Sequence, residues 1–139
     1  ESLVMQIICS LNNWFKTELP ISLRPILRPY TIMCVGEEAG LVECLCNAKS
    51  VDEIKKECPG YASLKDYFER AYNCPIAEGR EHQYYHGIPS SSQVSGTNTS
   101  LEKAKENFLR SLVGYSLVSY ILQIKDRHNA NILLDRDGV

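Results

Sequence analysis

The chain has 139 residues, enough for one domain with a real hydrophobic core. Its 15 basic and 17 acidic residues leave a net charge of −2, which removes the global electrostatic case for a nucleic-acid partner. No apolar run is long enough to cross a bilayer, because the richest, Leu112 to Leu122, is broken by Gly114, Tyr115, Ser116, Ser119 and Tyr120.

Leu3, Ile7, Leu11 and Phe15 recur about once per helical turn, with Ile8 and Trp14 widening the stripe, so residues 3 to 16 read as a helix. The pattern is already under way at the first residue and no signal-type leader precedes it, which leads us to expect a chain that starts inside a domain. Pro20 and Pro25 open a connector. Residues 31–35 and 41–45 read as two strands joined by the five-residue turn Gly36-Glu37-Glu38-Ala39-Gly40. Polar residues take over from Asn47. Ser50 and Glu53 form a capping box that starts a short helix ending near Pro59-Gly60. A second helix starts at Ser63 and carries Leu64, Tyr67 and Phe68.

Residues 75–100 are rich in Pro, Gly, Ser, Thr and Asn and are expected to be a long mobile loop, with His82 and His86 solvated rather than metal-bound. The longest helix follows, capped by Thr99 or Ser100, with charged pairs Glu102–Lys105 and Lys103–Glu106 near its start. From Leu109 to Ile124 it is apolar almost all round, the pattern of a central buried helix. Six cysteines (Cys9, Cys34, Cys44, Cys46, Cys58, Cys74) lack the paired Cys-x-x-Cys spacing of a zinc site and are expected to act as small hydrophobes in a reducing cytosol.

The segment Lys125-Asp126-Arg127-His128-Asn129-Ala130-Asn131-Ile132-Leu133-Leu134-Asp135 carries the chemistry. It offers an acid to accept a hydroxyl proton and, five residues on, an amide oxygen suited to Mg²⁺, the two needs of a phosphotransferase catalytic loop. A strand at residues 131–134 and a hairpin turn at Asp135-Arg136-Asp137-Gly138 are expected to follow it.

This segment resembles the catalytic loop of type III phosphatidylinositol 4-kinases, with Lys125 before the acid and Asn129 after the His. Arg28-Pro29-Tyr30, Ala39-Gly40-Leu41-Val42-Glu43, Asn47-Ala48-Lys49-Ser50-Val51, Asp66-Tyr67-Phe68 and residues 108–117 fall in the same order as in that family. Asn47-Ala48 leans to the beta type, whereas Gln123-Ile124-Lys125 and Tyr115-Ser116-Leu117 lean to the alpha type; the balance is on the beta side. Ala130 departs from the Gly usual there, a change the loop accepts if φ is negative.

The resemblance implies an α+β fold: part of a two-lobed lipid-kinase catalytic domain. Residues 1–45 would be small lobe and hinge, with a helix and a β-hairpin, and 46–139 a mostly helical large lobe up to the catalytic loop. It implies Asp126 as the group that orients or deprotonates the inositol hydroxyl, His128 near the transferring phosphate, Arg127 as a brace, and Asn131 as an Mg²⁺ ligand. Val42, Glu43, Cys44 and Leu45 would form the adenine-binding hinge, with a carbonyl from Glu43, an amide from Leu45 and Val42 in the gatekeeper position. Leu133 would floor the adenine, and Tyr30 would line the inner pocket and meet Glu1. ATP and Mg²⁺ would be the cofactors, phosphatidylinositol in membranes the substrate, and regulatory proteins further partners. The site of action would be cytoplasmic, at the cytosolic face of Golgi-like membranes. The family's phosphate-gripping Lys and its Asp-Phe-Gly segment are not among these residues, so the chain alone is expected to be inactive. The alternatives are a phosphoinositide 3-kinase or related protein kinase, against which Lys125 and Asn129 speak, and a non-catalytic pseudokinase or interaction fragment, against which Asp126, His128 and Asn131 speak.

Overall fold

A computed structural model describes residues 2–73 and 100–139. The expected mobile loop, 75–100, lies outside the described residues apart from Ser100. The chain divides into two units: 1–46, 108–126 and 139 form the first, and 47–107 with 127–138 the second.

The first unit begins with α1, Ser2–Glu18. Its apolar stripe buries Ile8 and Phe15 with Leu27 and Val118, and Val4, Met5, Leu11, Leu19, Leu122 and Ile124 pack around them. Full burial of one such side chain contributes about 1.5–3 kcal/mol, so these four dominate the unit's core. Pro20 follows the helix and caps a short 3₁₀ turn, Ile21–Leu23. The connector beyond is held by side chains. Arg110 Nε donates to the Arg24 carbonyl at 2.7 Å, and the Tyr115 hydroxyl accepts from the Arg28 amide at 3.0 Å and donates to its carbonyl at 3.2 Å. Gly114 permits this approach, since a Cβ there would sit 3.0 Å from Leu27 Cδ2 and 3.1 Å from the Ile26 carbonyl. Strands β1 (Ile32–Cys34) and β2 (Gly40–Val42) form the expected antiparallel hairpin, in the register Ile32↔Val42, Met33↔Leu41, Cys34↔Gly40.

The second unit pairs β3 (Ala48–Ser50) with β4 (Leu133–Asp135), antiparallel, with Ser50 opposite Leu133. Helix α2 (Val51–Glu57) starts from the capping box read in the sequence: Ser50 Oγ accepts from the Glu53 amide at 3.2 Å, and the Glu53 carboxylate accepts from the Ser50 amide at 2.8 Å. Helix α3 (Leu64–Asn73) is capped by Ser63 Oγ at 3.2 Å from the Asp66 amide, and Arg70 ties Asp66 to the carbonyls of Pro59 and Gly60. Helix α4 (Leu101–Ile121), of which 101–107 belong to this unit and 108–121 to the first, starts with the Ser100 cap and both expected charged pairs. Ile54, Cys58, Tyr67, Phe68, Ala71, Ala104 and Leu134 are buried in this unit.

Four expectations are corrected. Helix α4 stops at Ile121, and Leu109, Leu112, Val113, Tyr120 and Ile121 are each more than half exposed, so it is not buried all round within this chain. Its buried positions from 109 onward are Ser111, Gly114 and Val118, at the 3- and 4-residue spacing of a single face. The second hairpin strand ends at Val42 rather than Leu45, and the strand after the catalytic motif begins at Leu133 rather than Asn131. Four cysteines, Cys9, Cys34, Cys44 and Cys46, are exposed, and only Cys58 of the described ones behaves as a buried hydrophobe. The short strand β3 had no strand-like pattern of its own; its pairing with β4 creates it.

Gly138 closes the turn after β4, with its amide donating to the Asp135 carbonyl at 3.2 Å and a φ of 83°. A Cβ at this position would lie 2.6 Å from the Ala104 carbonyl oxygen. Gly138→Ala is therefore expected to destabilise the full-length protein by about 2–4 kcal/mol, combining left-handed strain with overpacking. Gly36→Ala, whose Cβ would meet only Ala39 Cβ at 3.8 Å, should change stability by about 0.5 kcal/mol or less. Chemical denaturation checks this, and equal midpoints for the two variants would contradict the close approach at Gly138.

Candidate active site

Helix α4 delivers the chain to the candidate catalytic motif. After Ile121 the backbone turns out through Gln123, at φ 52°, with the Ile124 amide donating to the Ser119 carbonyl at 3.0 Å. Asp126 is exposed and holds φ at 60°. The left-handed region costs an ordinary L-residue about 1–2 kcal/mol, and Asp and Asn are the non-glycine residues that tolerate it best. Gln123 and Asp126 are the non-glycine residues with positive φ among those described, so this distortion brackets the entry to the loop. Asp126 ends a run of the first unit, and Arg127, also exposed, opens a run of the second.

Within the second unit His128 and Asn131 close a tight loop on each other. The His128 amide donates to Asn131 Oδ1 at 3.0 Å, and the Asn131 amide donates to the His128 carbonyl at 3.0 Å. The Ala130 amide donates to His128 Nδ1 at 3.2 Å. Nδ1 thus acts as acceptor, which assigns the ring proton of the neutral imidazole to Nε2. Ala130 is not among the positive-φ residues, so the methyl group in place of a glycine is accommodated. The loop is anchored by the start of α2: the Val51 amide donates to the Ile132 carbonyl and the Asp52 amide to the Asn129 carbonyl, both at 3.0 Å. Leu133 then enters β4 with 46% of its surface exposed. Asp135 is buried, and its Oδ1 accepts from the Asp137 amide at 2.9 Å.

The residues expected to form the hinge lie in the first unit, after β2. Val42 is 58% exposed and closes the strand. The register puts Thr31 opposite Glu43, and the Glu43 amide donates to the Thr31 carbonyl at 2.9 Å. The return bond of a regular ladder would run from the Thr31 amide to the Glu43 carbonyl. Instead the Thr31 amide donates to Glu43 Oε2 at 2.8 Å. Among the described residues the Glu43 carbonyl oxygen and the Leu45 amide have no hydrogen-bond partner, whereas the Cys44 carbonyl accepts from the Cys46 amide at 3.1 Å. The chain thus presents one acceptor and one donor at alternate residues, 43 and 45. Tyr30 is half-buried just ahead of this pairing, and Glu1, its expected partner, lies outside the described residues.

The structure thus holds His128, Asn131 and Leu133 in one unit and Tyr30, Val42, Glu43, Cys44 and Leu45 in the other. Two contributors went unread in the sequence: the α2 amides that anchor the loop, and the Glu43 side chain that ends the ladder. The capping box was legible, but its relation to the loop depends on the β3–β4 register.

Asn shares the left-handed tolerance of Asp, so Asp126→Asn should leave stability within about 0.5 kcal/mol of wild type, while Asp126→Ala should cost about 1 kcal/mol or more. Equal denaturation midpoints for the two would show that the φ of residue 126 is not constrained. The Thr31 amide, and secondarily its hydroxyl, hold the Glu43 carboxyl below its ordinary range. A depressed pKa means the contact is complete above the unfolded carboxylate pKa and is lost only as pH falls through the lower folded value. The Thr31 amide resonance is therefore expected to stay constant through the ordinary glutamate range and to move only at lower pH. Movement within the ordinary range would contradict the contact.

The comparisons with known proteins agree with the motif. The family model described as phosphatidylinositol 3- and 4-kinase matches residues 1–139. A phosphatidylinositol 4-kinase of Dictyostelium discoideum is 33% identical over 139 residues, an alignment covering 99% of this chain and 10% of that protein. The proteins named phosphatidylinositol 4-kinase beta from Sorex araneus and Mus musculus are each 34% identical over 139 residues, covering 99% of this chain and 14% of theirs. The chain thus spans 10–14% of the length of these curated relatives. With the family match running from the first residue to the last, the chain belongs to the phosphatidylinositol 3- and 4-kinase family.

Proposed function

We propose that the chain is a catalytic-domain segment of a phosphatidylinositol 4-kinase of the beta type, whose parent enzyme transfers the γ-phosphate of ATP to the 4-hydroxyl of phosphatidylinositol. The observation that carries this reading is the Asp126-Arg127-His128-x-x-Asn131 loop, with Asp126 at positive φ and His128 and Asn131 locked by reciprocal hydrogen bonds. The names of the relatives support the 4-position over the 3-kinase alternative. In this reading residues 1–45 belong to the small lobe and hinge, and 46–139 to the large lobe up to the catalytic loop. The site of action is the cytosolic face of intracellular, Golgi-like membranes, with regulatory proteins as further partners.

The roles are those the family resemblance implies, stated with the chemistry of each group. The Asp126 carboxylate accepts the proton of the inositol hydroxyl as its oxygen bonds to the γ-phosphorus and the bond to the β–γ bridging oxygen breaks. His128 supplies a hydrogen-bond donor to developing charge on the phosphoryl oxygens, and Arg127 braces the loop through a carboxylate. The Glu43 carbonyl and Leu45 amide take the adenine edge, with Val42, Cys44, Tyr30 and Leu133 supplying the walls.

Among the described residues no cluster of three His, Cys, Asp or Glu side chains forms a metal cage. That fits Mg²⁺ in this setting, which uses one or two protein oxygens together with phosphate oxygens and waters. Asn131 Oδ1 would be one such oxygen, already oriented by the His128 amide. Bound Mg²⁺ would neutralise charge on the phosphates.

Steady-state turnover by the full-length protein on phosphatidylinositol vesicles, with Mg²⁺ and labelled ATP, tests this. Asp126→Asn, His128→Ala and Asn131→Ala are each expected to lower turnover by roughly 10²-fold or more. Asn131→Ala should also raise the Mg²⁺ requirement. The 139-residue chain by itself is expected to turn over no lipid. Product phosphorylated at the 3-position would overturn the 4-kinase assignment, and near-normal turnover by His128→Ala would remove that residue from the catalytic set.

A further inference from the structure

The residue that ends the hinge ladder is Glu43, and it does so with its side chain. The register makes odd-numbered pairs the hydrogen-bonded ones: Val35 donates to Ala39 at 3.1 Å, and Glu43 donates to Thr31 at 2.9 Å. The Thr31 amide should then occupy the Glu43 carbonyl. The carboxylate takes that amide at 2.8 Å instead. A charged acceptor makes a shorter and stronger bond than a neutral carbonyl, so in this competition for one N–H the carboxylate wins. The local hydrogen bond displaces the ladder bond, as side-chain acceptors do elsewhere. Among the described residues the Glu43 carbonyl oxygen is left without a partner.

We propose that the Glu43 carboxylate is a specificity-determining positioning group: by capping the Thr31 amide it keeps the Glu43 carbonyl open for the 6-amino group of adenine. The inference rests on the adenine-binding reading of residues 42–45 given above. The carboxylate itself touches no ligand. It selects adenine by releasing a backbone acceptor that only a purine with an amino donor at position 6 can use.

The consequence is a nucleotide preference that depends on a side chain facing away from the nucleotide. In Glu43→Ala the Thr31 amide is free to complete the ladder and consume the carbonyl. In Glu43→Gln a neutral amide oxygen of the same reach competes with the ladder carbonyl on equal terms, so the Thr31 amide divides between them. Binding of ATP and of purine riboside 5′-triphosphate, which lacks the 6-amino group, is measured by calorimetry on the full-length protein and both variants. Because the two nucleotides carry the same triphosphate, any effect of losing a negative charge cancels in the ratio of their dissociation constants.

Wild type is expected to prefer ATP. Glu43→Ala should weaken ATP binding by about fivefold to tenfold, the scale of one hydrogen bond, and leave the analogue within about twofold. Glu43→Gln should show a preference between those of wild type and Glu43→Ala. Survival of the preference in a folded Glu43→Ala protein, or an equal loss for both nucleotides in it, overturns the inference and leaves the kinase reading standing. Failure of the wild-type protein to bind ATP overturns the kinase reading itself. A variant that does not fold loses both nucleotides together, and Glu43→Gln then decides: an unchanged wild-type preference in a folded Glu43→Gln protein counts against the inference.

Discussion

The second unit depends on a few amide groups at the start of α2. A helix leaves its first four N–H groups without intrahelical partners. In α2 the Glu53 amide goes to Ser50 Oγ, while the Val51 and Asp52 amides go to the carbonyls of Ile132 and Asn129. The helix therefore satisfies its own orphan donors with the backbone of the 128–132 loop. Each net hydrogen bond contributes about 0.5–1.5 kcal/mol, but leaving the same groups unpaired when buried would cost about 1–3 kcal/mol. That asymmetry explains why a seven-residue helix, too short to be stable alone, forms at this place. It also explains β3, whose pairing with β4 brings the α2 start level with Ile132.

A parallel economy operates in the first unit. The hairpin is short, with three residues in each strand, and its end is set by a side chain rather than by a turn or a proline. Ladder pairing uses up the backbone groups along a strand, so pairing must stop where a group is to stay available. The Glu43 carboxylate ends the pairing without leaving the Thr31 amide unsatisfied. Beyond it the Cys46 amide folds back onto the Cys44 carbonyl, so the 43–46 segment leaves the ladder with alternate backbone groups committed.

Local signals were well read in the sequence because their physics is local. The α1 stripe, the hairpin, the Ser50–Glu53 box, the Ser63 and Ser100 caps and the turn at Asp135–Gly138 each depend on residues within a few positions of one another. The failures share a non-local cause. Hydrophobicity all round α4 could not show that only one face is covered within this chain. Val42 to Leu45 read as strand by composition, yet the competition at Thr31 depends on cross-strand register. Ala48 to Ser50 has no strand pattern and pairs only because a segment more than 80 residues later lies beside it. The motif at Asp126–Asn131 could be picked out in the sequence, but its internal bonding could not.

That internal bonding changes what the loop residues mean individually. Asn131 reads in isolation as a metal ligand and His128 as an acid, base or charge stabiliser. In the structure Asn131 Oδ1 also receives the His128 amide, and His128 Nδ1 receives the Ala130 amide. Truncating Asn131 would remove a donor oxygen and at the same time release the turn that sets the imidazole. Truncating His128 would free the Ala130 amide and loosen the backbone that orients Asn131. Groups that share one network respond non-additively when removed, so in the proposed site neither side chain would own a separable portion of the barrier. What the structure holds together is the closed loop from His128 to Asn131, bonded at its carbonyls by α2 and entered through the left-handed Asp126.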